Sequence, residues 1–66
     1  MEILAERLRM RRKLRGYTQQ QMAASLRVHR TSYTKYELVI IEPPLETLCR
    51  MADILDCSTD ELLGRK

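Results

Sequence analysis

The side chains best suited to recognising another molecule lie between residues 30 and 35. At about 100° per residue, a helix over 30–37 places two cations and two hydroxyls on one face: Arg30, Thr31, Thr34 and Lys35. No carboxylate interrupts that face. Guanidinium and ammonium groups donate to phosphates and guanine edges, and threonine offers a hydroxyl and a methyl to other base edges. The pattern is typical of a surface that contacts nucleic acid, although a merely solvated helix face has the same composition.

A second helix must lie directly before this one to hold it in place. Thr18 and Gln21 have the spacing of a capping box, in which each side chain satisfies a backbone donor beside the other. The apolar residues that follow share one face of that helix: Met22, Ala23 and Leu26. Helices over 18–26 and 30–37, joined by a tight turn, form a helix-turn-helix.

Charge is divided unevenly along the chain, which has 66 residues and a formal net charge of +3. Residues 1–36 carry nine Lys or Arg against two Glu, a net +7, whereas residues 37–66 carry three against seven acids, a net −4. Because the candidate recognition helix lies in the basic half, this division favours a polyanion bound on that side. The length allows a single small domain, 1–66, for which a helical bundle is the simplest core.

Several other classes of protein lack support in the sequence. Cys49 and Cys57, with His29 far away in sequence, make neither a disulfide framework nor a zinc site. No glycine-rich phosphate loop or nucleophile–base pair is present, so we expect no enzyme, no cofactor, no metal and no small-molecule ligand. No apolar run approaches the ~20 residues that span a bilayer, and no apolar signal region occurs, which predicts a soluble cytoplasmic protein without a membrane partner.

The chain also resembles a known family over most of its length, from about Leu4 to Arg65. The resemblance to the Cro/repressor-type, or Xre-like, helix-turn-helix DNA-binding domain is carried by TQQQMA, VHRTSYTKYE and PPLETLCRMADILDCSTDELLGR. It implies an all-α, compact, five-helix domain like that of lambda repressor. The helices are expected at about 2–15, 18–26, 30–37, 44–55 and 59–63.

What the resemblance implies about function is sequence-specific binding of double-stranded DNA. It implies a transcriptional regulator, a repressor that acts as a homodimer on a near-palindromic operator, in a bacterial or phage setting. Such a protein would be associated with the nucleoid through its DNA. A different function remains open, in which the same fold is a protein-interaction module, such as an antitoxin-like subunit or a relative that no longer binds DNA.

The resemblance also assigns roles to single residues. Gln19 matches the glutamine that holds a backbone phosphate at a helix N-terminus, where free amides also favour an anion. Arg12 matches the arginine that forms a structural ion pair with the glutamate ending the recognition helix, here Glu37, and would lie near a DNA phosphate. His29, at the cap of that helix, is a further candidate phosphate donor. The resemblance assigns base readout to the polar face of the helix over 30–37: Arg30, Thr31, Thr34 and Lys35.

The sequence departs from the family at two turns. Arg27 stands where the family usually has glycine, at a cost of about 1–2 kcal/mol if the backbone there is left-handed. Leu38-Val39-Ile40-Ile41-Glu42 replaces an Asn-Gly and the basic residues after it, which removes expected phosphate contacts. Since exposed apolar patches tend to be interfaces, Val39, Ile40 and Ile41 are candidate dimer contacts. The alternative is that these residues fold back onto the domain's own core.

The apolar residues of the first and fourth helices predict the rest of the core. In the first helix we expect two adjacent apolar rows: Leu4 and Leu8, and Ile3, Met10 and Leu14. In the fourth we expect one buried face, with Cys49 and Met51 at its edges: Leu45, Leu48, Ala52 and Leu55. Both cysteines are expected to be small buried apolar groups.

Overall fold

Five α-helices account for most of the chain. The computed structural model describes residues 2–65, and in that range the helices are α1 (Glu2–Leu14), α2 (Gln19–Leu26), α3 (Arg30–Glu37), α4 (Leu45–Leu55) and α5 (Thr59–Leu63). The described residues contain no strand, so the expected all-α fold is confirmed. Each helix begins and ends within one residue of its expected span. The expected domain, 1–66, includes residues 1 and 66, which lie outside the described range.

The ends of α2 show why this segment forms a short helix in this place. The Thr18 hydroxyl accepts from the Gln21 amide at 3.0 Å, and the Gln21 side chain accepts from the Thr18 amide at 2.9 Å, which completes the capping box. At the other end Arg27 takes a left-handed conformation with φ of 58°. The left-handed turn that the family usually makes with glycine is therefore present here, and Arg27 adopts it.

The core lies where the five helices converge. It consists of buried residues from every helix: Leu4, Leu8, Met22, Ala23, Leu26, Tyr33, Tyr36, Leu48, Met51, Ala52, Leu55 and Leu62. Tyr33 and Tyr36 meet edge to face, with ring centroids 6.3 Å apart and planes at 88°. Such an aromatic pair adds about 0.5–1.5 kcal/mol beyond its buried area. The inward face of α3 is thus fixed by large, well-packed rings.

Several residues expected in the core lie at the surface instead. The second apolar row of α1 is exposed: Ile3, Met10 and Leu14. In so small a bundle a helix buries only one narrow face, and α1 buries the face with Leu4, Ala5 and Leu8. In α4, Leu45 and Cys49 are exposed, whereas Met51, expected at the edge, is fully buried. The buried face of α4 is therefore rotated from the expected one towards Met51.

No helix within 2–65 has both the length and the apolar character needed to cross a bilayer. In the same range no three His, Cys, Asp or Glu side chains cluster as metal ligands. Cys49 and Cys57 are both free thiols.

Candidate nucleic-acid interface

The outward face of α3 forms one wall of an open groove. This groove has a volume of about 490 Å³ and is lined by residues from α2, α3 and the segment after α3: Gln19, Arg30, Thr31, Thr34, Lys35, Leu38 and Ile40. All four residues expected to contact bases therefore meet at one surface. Arg30, Thr31 and Lys35 are exposed, and Thr34 is half-buried.

The charge of the groove is entirely positive among its lining residues. Arg30 and Lys35 contribute two cations, and no Asp or Glu is part of the lining. The other polar groups there are the hydroxyls of Thr31 and Thr34 and the amide of Gln19. This combination can bind phosphate oxygens and can also donate to or accept from base edges.

The orientation of α3 is set by the buried carboxylate of Glu37, which is 3% exposed. Its Oε2 accepts from Arg12 Nε at 2.6 Å and from the Tyr33 hydroxyl at 2.5 Å. Its Oε1 accepts from Arg12 Nη2 at 3.2 Å and from Gln19 Nε2 at 3.1 Å. One carboxylate thus joins α1, α2 and α3 through hydrogen bonds that include a charged pair.

The ionisation of this cluster follows from its contacts. Burial by itself raises the pKa of the Glu37 carboxyl, but hydrogen bonds from Arg12, Tyr33 and Gln19 together hold that pKa below its usual value. The hydrogen bond to Glu37 raises the pKa of Arg12. Burial, and then the hydrogen bond to Glu37, raise the pKa of the Tyr33 hydroxyl well above its usual value. Glu37 is therefore ionised and Tyr33 protonated at neutral pH.

Arg12 directs its whole guanidinium group into the protein. Besides its two bonds to Glu37, it donates through Nη1 to the carbonyl of Tyr17 at 2.9 Å. The residue is only 9% exposed. The expected ion pair is formed, and little of the guanidinium remains for a DNA phosphate.

Gln19 links the ion pair to the groove. Its Nε2 donates to Glu37, and its Oε1 accepts from the Thr34 hydroxyl at 3.3 Å. The side-chain amide expected to hold a phosphate is therefore engaged within the protein. In the first turn of α2 the Gln21 amide is capped by the Thr18 hydroxyl, whereas the amides of Gln19 and Gln20 have no intrahelical acceptor and lie at the positive end of the helix dipole.

His29 occupies the cap position of α3 without capping it. Its backbone is extended, with φ of −69° and ψ of 147°, and its side chain makes no hydrogen bond to the first turn of the helix. The side chain is exposed. A phosphate contact by His29 stays a prediction.

The segment after α3 is exposed rather than folded onto the core. Leu38 is 60% exposed, Val39 44%, Ile40 61% and Ile41 42%, so the expectation that this loop could cover the core was wrong. Val39 has a φ of +62°, in the left-handed region that favours glycine. The turn at Val39 lets the Ile40 amide donate to the Lys35 carbonyl at 3.0 Å, which closes the end of α3.

Sequence reasoning missed three contributors to this site. Tyr33 has no role in the expected site, yet its hydroxyl donates to Glu37. Leu38 and Ile40 were expected in a separate apolar loop, yet both line the groove. For Leu38 a signal was available, because it follows Thr34 by one helical turn and so lies on the same face.

Comparison with known proteins agrees with this geometry. The helix-turn-helix family model matches residues 8–62. Over 61 residues the chain is 46% identical to the SPbeta prophage-derived uncharacterized HTH-type transcriptional regulator YonR of Bacillus subtilis, a match that covers 92% of this chain and 56% of that protein. Over 62 residues it is 45% identical to the cryptic phage CTXphi transcriptional repressor RstR of Vibrio cholerae, covering 94% of this chain and 55% of that protein.

A more distant relative is the HTH-type transcriptional regulator ImmR of Bacillus subtilis, 34% identical over 62 residues, which are 94% of this chain and 49% of that protein. No solved structure matches the chain significantly. The chain spans about half the length of the curated relatives it matches. Because the family model covers most of the chain, and the five helices have the expected order, the chain belongs to the helix-turn-helix family of Cro/repressor (Xre-like) type.

Proposed function

We propose that this chain binds double-stranded DNA sequence-specifically and regulates transcription as a repressor. The observation that carries the proposal is the groove, in which Arg30, Thr31, Thr34 and Lys35 meet without a carboxylate. The similarity to HTH-type transcriptional regulators, a phage transcriptional repressor among them, supports it. With bacterial DNA as the target, the protein would act in the cytoplasm.

In this proposal α3 enters the major groove, which is about 12 Å wide and admits one helix. Arg30 and Lys35 donate to guanine edges or phosphates, and the hydroxyls of Thr31 and Thr34 contact neighbouring bases. The first turn of α2 binds a backbone phosphate through its amides. Phosphate contacts supply most of the affinity, so binding weakens steeply with salt.

The hydrogen bonds to Glu37 support base recognition by fixing α3 before DNA arrives. A side chain contacts a base edge usefully only if the helix that carries it is held in one orientation. Here α3 is joined to α1 through Arg12 and to α2 through Gln19. The hydroxyl of Thr34 is itself oriented by Gln19. Little ordering of the protein is then required on binding.

We further propose that the protein acts as a homodimer on a near-palindromic operator. A single α3 of eight residues contacts only a few base pairs, and two-fold pairing doubles the contacts. Val39 and Ile41 are exposed apolar residues next to the groove-lining Ile40, which makes them the candidate dimer contacts. Half-sites should then lie about one helical turn, or roughly 34 Å, apart.

Selection of binding sites from random duplex DNA at near-physiological salt tests this function. We expect enrichment of an inverted repeat with half-sites one turn apart. The double variant Arg30→Ala, Lys35→Ala should enrich nothing, whereas Arg50→Ala, on exposed α4 surface outside the groove, should enrich the wild-type site. Weak, salt-sensitive retention without any enriched sequence would reject sequence-specific binding.

The exposure of residues 38–41 favours one second candidate, a protein-interaction module on the same fold. In that case a partner protein should bind wild type and lose binding when Val39 and Ile41, which are exposed but do not line the groove, are replaced by polar residues. Retention of the enriched DNA site by that same variant, with no partner lost, would leave DNA binding as the function.

A further inference from the structure

Two apolar side chains lie in the groove among its cations. Leu38 and Ile40 are 60% and 61% exposed, and both line the same groove as Arg30 and Lys35. Neighbouring apolar residues Val39, Ile41 and Leu45 are also exposed but are not among the residues that line it. The apolar segment after α3 therefore has one part inside the candidate DNA surface and another part outside it.

The backbone fixes the two side chains in the groove. Leu38 follows Thr34 by one turn, and its amide donates to the Thr34 carbonyl at 3.1 Å, so it extends the outward face of α3. Ile40 is brought back beside Lys35 by the left-handed turn at Val39, through the bond from its amide to the Lys35 carbonyl. Backbone hydrogen bonds to α3 therefore hold both Leu38 and Ile40 beside the groove.

The chemistry of the groove decides what an apolar group there can contact. In the major groove of DNA, the 5-methyl group of thymine is the apolar feature among hydrogen-bonding edges, and apolar side chains contact it. The cations beside Leu38 and Ile40 suit the phosphates on either side of such a base. A protein partner would instead have to pair or bury Arg30 and Lys35 with carboxylates.

We infer that Leu38 and Ile40 are specificity-determining residues that pack against thymine 5-methyl groups in the half-site. The inference rests on the proposed DNA-binding function and adds thymine preference to it. The polar face of α3 then selects bases by hydrogen bonds, and the end of α3 selects thymine by apolar contact. This assigns a role to the departure from the family pattern at the position of its Asn-Gly.

The test uses uracil in place of thymine, which removes the 5-methyl group and keeps the base pair. In the duplex obtained by site selection, each thymine is replaced singly by uracil. Dissociation constants are then measured for wild type, Leu38→Ala, Ile40→Ala and the control Leu45→Ala. Leu45 is also apolar and is 75% exposed on α4, outside the groove. Thermal unfolding of each variant confirms that it is folded.

We expect at least one uracil substitution to weaken wild-type binding about fourfold, the effect of one buried methyl group. That substitution should not change the affinity of the groove variant that has lost the contact, which is either Leu38→Ala or Ile40→Ala. It should weaken binding by Leu45→Ala as much as binding by wild type. Uracil effects that persist undiminished in both groove variants would overturn the inference, as would unchanged affinity at every uracil position. Loss of self-association in the groove variants, with the uracil response intact, would also overturn it and assign the residues to a subunit contact. Failure of the proposed function looks different, because no enriched duplex would be obtained.

Discussion

Arg12 Nε lies 2.6 Å from Glu37 Oε2, and this contact joins α1 to the end of α3. Both residues are buried, and the described part of the chain has no buried side-chain nitrogen or oxygen without a hydrogen-bond partner. A buried ion pair contributes little net stability when it is compared with an apolar replacement, but removal of one partner leaves the other charge uncompensated. The pair therefore fixes geometry, and the protein is sensitive to losing half of it.

Arg12→Ala should lower the free energy of unfolding by about 3 kcal/mol, because Glu37 would remain buried without its cation. For a domain this small, whose core seldom supplies more than about 3–5 kcal/mol, that is most of the stability. Urea and thermal unfolding measure the loss.

Arg11→Ala is the matched control, since Arg11 directly precedes Arg12 in α1 and pairs with Glu61 at 2.7 Å in a partly exposed position. A surface pair of this kind contributes about 0–1 kcal/mol. Equal losses in the two variants would show that burial of the Arg12–Glu37 pair has no special effect.

The pKa of Glu37 predicts sensitivity to acid. Its folded-state pKa is below the ordinary value of 4.5, so its contribution to stability is present above that value and is lost as the pH falls through the folded-state pKa. We expect the free energy of unfolding to fall from about pH 5 towards pH 2, and to fall less in Glu37→Gln. Denaturant titrations at a series of pH values test this. Parallel pH profiles for the two proteins would mean that other carboxylates cause the acid sensitivity.

Helix boundaries could be predicted from the sequence because their signals are local. The Thr18–Gln21 capping box depends on a few adjacent residues, and it occurs as expected. The face of α3 was predictable for the same reason, since periodicity alone places Arg30 and Lys35 together.

Features that depend on three helices meeting could not be predicted in this way. The amide of Gln19 bonds to Glu37 because α2 crosses α3 at that point, and no spacing within either helix reports the crossing. The exposure of Met10 and Leu14 depends on how little of α1 so small a bundle can cover. Ile40 enters the groove only because Val39 accepts a conformation that β-branched residues rarely adopt.

Val39→Gly should stabilise the domain by about 1 kcal/mol. The left-handed conformation costs a non-glycine residue about 1–2 kcal/mol, and the greater chain entropy of glycine in the unfolded state offsets part of the gain. Val39 is 44% exposed and is not part of the core, so little burial is lost. In a domain of this size the melting temperature should rise by roughly 4–8 °C.

The control for this variant is Arg27→Gly, because Arg27 has nearly the same backbone conformation, with φ of 58°, and lacks β-branching. We expect a smaller rise there. A lower melting temperature for Val39→Gly would show that the valine side chain makes stabilising contacts, and a fall seen only at high protein concentration would place those contacts between subunits.

Arg30→Ala should weaken binding to the selected operator by about 1–3 kcal/mol, the value of one good side-chain-to-base contact, and should relax selection at one base position. The reason is that Arg30 lies at the start of α3, inside the groove and exposed, where a guanidinium can reach a guanine edge. Affinities for the operator and for single-base variants measure both effects, with Arg50→Ala as the control outside the groove. A guanidinium that contacts only phosphate would give a different result: equal loss of affinity on every sequence, with a shallower dependence on salt. That result would move base selection to Thr31, Thr34 and Lys35 and leave Arg30 as a positioning residue.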